Sequence, residues 1–133
     1  MIKKIDHIGI AVANIDAAIP KYQSLTGEAA SSKETVAEQK VDTVFFPVGE
    51  VRLELLEGNA PESAISKFVA KRGPGIHHIC FEVEDLDACK QLFVASGLEF
   101  IEGVPERGAG GSKVAFIHPG SSGGVLIELV EHQ

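Results

Sequence analysis

The chain has only two cysteines, and their placement excludes two architectures. Cys80 and Cys89 stand nine positions apart, one in a strand pattern and one in a helix pattern, which is neither a disulfide framework nor a zinc-ligand spacing. They read as packing residues in a reducing compartment. No apolar run approaches the ~20 residues needed to span a bilayer, and with the first strand pattern beginning at Ile2 no signal or transit peptide is expected. The expected location is the cytoplasm, with no membrane partner. Positive charge is scarce too: 12 Lys and Arg against 19 Asp and Glu give a net charge of -7, which repels a phosphate backbone. Nucleic acid is therefore not an expected partner, although a small polyanion can still bind at a local basic patch.

What is present describes one ordinary globular domain over residues 1–133, with 44% hydrophobic and 23% charged residues and enough glycine for many turns. Its most informative property is an internal repeat. Lys4-Ile5-Asp6-His7-Ile8-Gly9-Ile10-Ala11-Val12 returns as Gly75-Ile76-His77-His78-Ile79-Cys80-Phe81-Glu82-Val83, with His7 in register with His78 at an offset of 71. Leu53-Glu54-Leu55-Leu56-Glu57 likewise returns as Ile127-Glu128-Leu129-Val130-Glu131, at an offset of 74.

Each half reads as βαβββ. In the first, a strand over 3–12 is followed by a helix capped at Asn14 and stopped by Gly27. Pro20 inside that helix predicts a bend or a late start. A weak polar strand over 28–38 and strong strands over 41–48 and 51–57 complete the module. Residues 58–74 form a linker with a short helix over 63–71. The second module, about 75–131, has strands over 76–83, 98–104, 112–118 and 123–131, and a helix from Asp85 to Ser96 with Gly97 as stop.

Strand alternation assigns Ile8, Ile10 and Val12 to the face that packs on a helix, and His7 to the other face. The second module sorts Ile79, Phe81 and Val83 against His78 in the same way. Glu54 and Glu128 sit between apolar neighbours and face opposite them. If the first and last strands of each module are neighbours, His and Glu stand ~5 Å apart on one face. Carboxylates in a concave, partly apolar interior are costly unless paired, and a divalent cation pairs both. His7, Glu54, His78 and Glu128 are thus the candidate metal ligands, and two imidazoles with two carboxylates leave the site formally neutral. The mixed N/O set suits Co, Mn, Ni, Fe or Zn and keeps two octahedral positions for other oxygens.

Each of these residues taken alone reads as a hydrogen-bonded or solvated strand residue. The repetition at equivalent positions is what favours ligands. His77 aligns with Asp6 on the opposite face, and His118 and His132 read as loop and tail residues. The loop Gly108-Ala109-Gly110-Gly111-Ser112-Lys113 lacks the Walker spacing and is a weak phosphate motif.

The paired His-Ile-x-x-x-Val strands, each closed by a strand carrying Glu, resemble the vicinal oxygen chelate superfamily, and within it the methylmalonyl-CoA epimerases. The resemblance spans the full length and includes Glu38-Gln39-Lys40-Val41 and Gly110-Gly111-Ser112-Lys113-Val114-Ala115-Phe116-Ile117-His118-Pro119. It implies an α+β fold, two tandem βαβββ modules in a curved, eight-stranded incomplete barrel of the glyoxalase/bleomycin-resistance type around a metal site. The family's ligands carry over to His7, Glu54, His78 and Glu128. Some relatives have Gln at the Glu54 position, so Glu54 makes this site more anionic.

The implied activity is interconversion of (R)- and (S)-methylmalonyl-CoA through a metal-stabilised enolate, with cobalt preferred over Mn, Ni or Zn, in a homodimer. Glu128 is the expected base. Gln39, Thr43 and Lys113 are expected substrate contacts near the pocket mouth, and Glu38 and Asp42 remain as carboxylates for the second base. Glyoxalase I shares the four ligand types, but the hairpin His118-Pro119-Gly120-Ser121-Ser122-Gly123-Gly124 is not the Asp-Pro-Asp-Gly-Tyr-like turn of glyoxalases. An extradiol dioxygenase needs only two His and one Glu on iron. A non-catalytic small-molecule-binding protein of the same fold usually lacks the full ligand set.

Overall fold

A computed structural model describes all residues, Met1–Gln133. It contains β1 (Ile2–Ala11), α1 (Ile15–Thr26), β2 (Glu34–Val36), β3 (Val41–Val48), β4 (Val51–Gly58), α2 (Ala64–Arg72), β5 (Gly75–Val83), α3 (Leu86–Ala95), β6 (Lys113–Ile117) and β7 (Ile127–Glu131). No helix is long and apolar enough to cross a membrane. The chain divides into two compact units, His7–His77 and Met1–Asp6 with His78–Gln133.

In the His7–His77 unit, β1 pairs in parallel with β4, β4 antiparallel with β3, and β3 antiparallel with β2. Alternation sends Val12, Val44, Phe46 and Leu55 into one cluster with Ile15 of α1, with Ile10, Ile19, Tyr22 and Leu53 packed around it. Phe46 and Leu55 are fully buried, and burying a side chain of that size contributes about 1.5–3 kcal/mol. The second unit repeats the scheme: β5 pairs in parallel with β7, and β7 antiparallel with β6. Val83, Ala115, Ile117 and Leu129 pack on Leu86 and Cys89 of α3. Cys80 and Cys89 are free and buried, in keeping with packing roles.

Both helices that follow a strand start in the same way. Asn14 accepts from the Ala17 N–H at 2.9 Å and Asp85 from the Ala88 N–H at 3.0 Å. A glutamate from the closing strand then accepts the first helical N–H: Ile15 donates to Glu57 and Leu86 to Glu131, each at 2.8 Å. A carboxylate there satisfies an orphan donor and complements the helix dipole. The three-residue spacing within Glu54–Glu57 and Glu128–Glu131 puts the two members of each pair on opposite sheet faces, one at the helix and one away from it.

Three expectations change. The helix α1 begins at Ile15 and runs through Pro20, so there is no late start. The bond lost at Pro20 belongs to the Asp16 carbonyl, on a residue whose side chain is solvent-exposed. The polar strand of 28–38 shrinks to Glu34–Val36, because the Ser31 hydroxyl takes the Phe45 N–H at 2.8 Å where a ladder carbonyl would stand. Seven strands form, not eight. Residues 98–104 make only the isolated Phe100–Ile117 bridge, with Ile101 N–H donating to Phe116 at 2.8 Å and His118 N–H to Glu99 at 2.7 Å. Gly103, at φ +73, then turns the chain away from the ladder.

Gly58 ends β4 directly under the start of α2. A Cβ there would meet the Ser66 backbone nitrogen at 2.8 Å and the Ser63 hydroxyl at 2.9 Å, with the Ser66 hydroxyl closer still. Gly58→Ala is expected to cost about 1–3 kcal/mol, read as a lower urea midpoint at unchanged m-value.

Candidate metal centre

In the His7–His77 unit, parallel pairing sets Gly9 of β1 opposite Glu54 of β4. With no side chain at Gly9, the Glu54 carboxylate reaches diagonally toward His7, and His7 Nε2 lies 3.1 Å from Glu54 Oε1. The other oxygen, Oε2, accepts from the Thr43 hydroxyl at 2.9 Å. Phe45, opposite Glu54 on β3, meets the His7 ring edge-on at 5.6 Å between centroids. The Arg52 guanidinium stacks over the Phe45 ring, 4.0 Å from its centroid. His7 and Glu54 are each 5% exposed and Thr43 is fully buried.

The second unit builds the same arrangement. Cys80 of β5 stands opposite Glu128 of β7, and His78 Nε2 lies 2.9 Å from Glu128 Oε1. Phe116, opposite Glu128 on β6, meets His78 edge-on at 6.3 Å. His78 and Glu128 are also 5% exposed. On the same sheet face, Cys80, Val114 and Val130 form an apolar cluster joined by Phe116.

These pairs fit a divalent ion by chemistry and by spacing. Nitrogen and oxygen donors about 2.1 Å from one metal, in neighbouring octahedral positions, stand about 3 Å apart. The observed 3.1 and 2.9 Å are that separation. Each pair is buried and edged by an aromatic ring, so a cation bound there is screened little by solvent.

A protein-family model described as the glyoxalase/bleomycin resistance protein/dioxygenase superfamily matches residues 6–116. A mitochondrial methylmalonyl-CoA epimerase of Dictyostelium discoideum is 36% identical over 131 residues, 98% of this chain and 79% of the relative. The structure of a Streptomyces coelicolor methylmalonyl-CoA epimerase variant, in complex with 2-nitronate-propionyl-CoA, superposes with a TM-score of 0.92 at 36% identity. It covers 99% of this chain and 96% of that one. The chain belongs to the methylmalonyl-CoA epimerase family. A Bacillus subtilis protein, the uncharacterised YqjC, is 42% identical over 96% of this chain and 91% of its own length.

For this family member the structure distributes the remaining sequence candidates unevenly. Thr43 is enclosed, its hydroxyl engaged with Glu54. Gln39 is half-buried in the β2–β3 turn, where its N–H donates to the Val36 carbonyl at 3.1 Å. Lys113 shares a face of β6 with Ala115 and Ile117, opposite to Phe116, and its ammonium lies 4.0 Å from Asp87 of α3. Asp42 shares the helix-side face of β3 with Val44 and accepts from Thr35 at 2.7 Å and Asn59 at 3.3 Å.

His77 packs edge-on against Phe68 of α2 at 5.0 Å, well apart in role from its neighbour His78. His118 Nδ1 accepts the Gly120 N–H at 2.9 Å and so belongs to its loop, as expected. His132 is not a loose tail residue: its Nε2 lies 2.8 Å from Oδ1 of buried Asp6.

Sequence reasoning missed Phe45, Phe116 and Arg52. A signal for the two rings was present, since Phe45 and Phe116 are offset by the same 71 positions as the histidines. Arg52 carried none, because its repeat-mate is Leu126.

Proposed function

We propose that the chain is a metal-dependent methylmalonyl-CoA epimerase in which both His–Glu pairs serve one divalent ion. The observation that carries this reading is the repetition of a buried His–Glu–Phe arrangement in a member of that family. His7, Glu54, His78 and Glu128 are the proposed ligands. An ion held there supplies a fixed positive charge beside the oxygen on which charge develops, worth several kcal/mol to the transition state.

The C2 hydrogen of methylmalonyl-CoA lies between a thioester and a carboxylate. Glu128 takes that proton. The C–H bond breaks, its electron pair forms the C1–C2 double bond, and the thioester oxygen gains the charge. Returning a proton to the opposite face of C2 restores the C–H bond with inversion, so a second proton carrier is required there. With Asp42 turned to the helix side of β3, Glu38 in the β2–β3 turn is the proposed carrier. Phe45 and Phe116 exclude water from the imidazole edges, which strengthens every charge interaction at the pairs. Cobalt as the preferred ion, a homodimer and a cytoplasmic setting complete the reading and rest on family resemblance.

The test is turnover of one pure epimer. Co2+-loaded protein is expected to convert (R)-methylmalonyl-CoA to an equal mixture of epimers, followed by chiral separation, and chelation is expected to stop it. No conversion, together with turnover of a glutathione hemithioacetal, would replace this reading with a glyoxalase.

A further inference from the structure

The two half-sites share His, Glu and Phe at matching positions but differ in what stands behind the glutamate. Thr43 donates its hydroxyl to Oε2 of Glu54 at 2.9 Å, while the residue at the equivalent position, Val114, has no hydroxyl to give. Arg52, two residues from Glu54 on the same face of β4, adds a cation to the first half-site where the repeat has Leu126. Repetition has therefore conserved the inner residues and broken symmetry one layer out.

We infer that Thr43 is a positioning residue that fixes Glu54 as a single-oxygen metal ligand. This rests on the metal centre proposed above. Thr43 is fully buried, so no water competes for its hydroxyl. It is β-branched and sits in a strand, so its side chain has few rotamers and the donor is fixed in place. By holding Oε2, it leaves Oε1, the oxygen 3.1 Å from His7 Nε2, as the one presented beside the imidazole. A carboxylate restrained in this way neither rotates nor binds an ion through both oxygens. The outcome is a first half-site in which Glu54 is locked as a ligand by a hydroxyl that the equivalent residue of the second half-site, Val114, does not carry.

The experiment compares T43V and T43S with wild type, using Co2+ affinity by calorimetry and the visible absorption of bound Co2+. Neither readout depends on turnover. Valine has nearly the shape of threonine and is what the second half-site carries, so T43V removes the donor alone. T43V is expected to weaken Co2+ binding about 10-fold or more, the usual effect of losing a group that orients a ligand, and to shift the Co2+ absorption bands. T43S is expected to bind within a few-fold of wild type with wild-type bands.

T43V with wild-type affinity and spectrum would overturn the inference. So would a folded T43S as weak as T43V, since packing by the methyl group would then explain the effect. If T43V does not fold, T43A takes its place: weak binding with shifted bands in T43A beside wild-type behaviour in T43S supports the inference, and T43A with wild-type affinity and bands overturns it. Failure of wild type itself to bind Co2+ would overturn the metal centre beneath the inference, a distinguishable result.

Discussion

His78→Ala is expected to abolish epimerisation and Co2+ binding while the fold persists. The substitution removes one of four proposed ligands, so the loss of affinity should exceed the ~10–100-fold that follows loss of a group behind a ligand. Rate falls with it: if the ion contributes at least ~4 kcal/mol to the transition state, its loss costs about 10³-fold in kcat/KM. The Glu128 carboxylate, 5% exposed and 2.9 Å from His78, loses that partner, which should lower stability by about 1–3 kcal/mol. The unit's core around Leu129 and Leu86 does not involve His78, so circular dichroism should remain native-like. His77→Ala is the matched control. It loses the edge contact with Phe68, worth about 0.5–1.5 kcal/mol, and should keep wild-type metal affinity and turnover. A His78→Ala protein that retains its metal would show that the wrong histidine of the pair had been assigned.

Glu128→Gln separates holding the ion from moving the proton. An amide keeps a ligand oxygen but cannot accept the C2 proton. The variant is expected to bind Co2+ within about 100-fold of wild type and to lose at least ~10³-fold in the conversion of one pure epimer of methylmalonyl-CoA into the other, general-base catalysis alone contributing about 10²–10⁴-fold. The same change at Glu54, whose Oε2 accepts from Thr43, should weaken the ion without an equal loss in epimer conversion at saturating metal. Equal losses for both would remove the distinction between ligand and base.

Much of this arrangement was legible in the sequence because period-two alternation is a local property. Once Ile10 and Val12 were assigned to a helix-packed face, His7 had to stand on the other. The capping residues Asn14 and Asp85 and the stop at Gly27 were likewise readable, since each acts within one turn of its helix. What the sequence hid was set by tertiary partners. Residues 98–104 have strand composition, yet only the Phe100–Ile117 bridge forms. Pro20 is tolerated because the bond it removes is on the exposed side of α1.

Thr43 looked like a pocket-mouth residue because its polarity was visible and its partner, eleven positions away across a hairpin, was not. Lys113 was read from its charge as a substrate contact, and strand parity sets it on the α3 side of β6, 4.0 Å from Asp87. Glu57 and Glu131 appeared only as repeat companions of the ligands, and their hydrogen bonds to Ile15 and Leu86 give them a separate job at the helix starts.

The central claim is that two matched His–Glu pairs act as one centre. It is tested most directly by the stoichiometry of tight Co2+ binding, measured by elemental analysis after gel filtration of wild type, His7→Ala and His78→Ala. The account predicts one ion per chain in wild type and none in either variant. Two ions per chain, or one variant that keeps its ion at wild-type affinity, would contradict it.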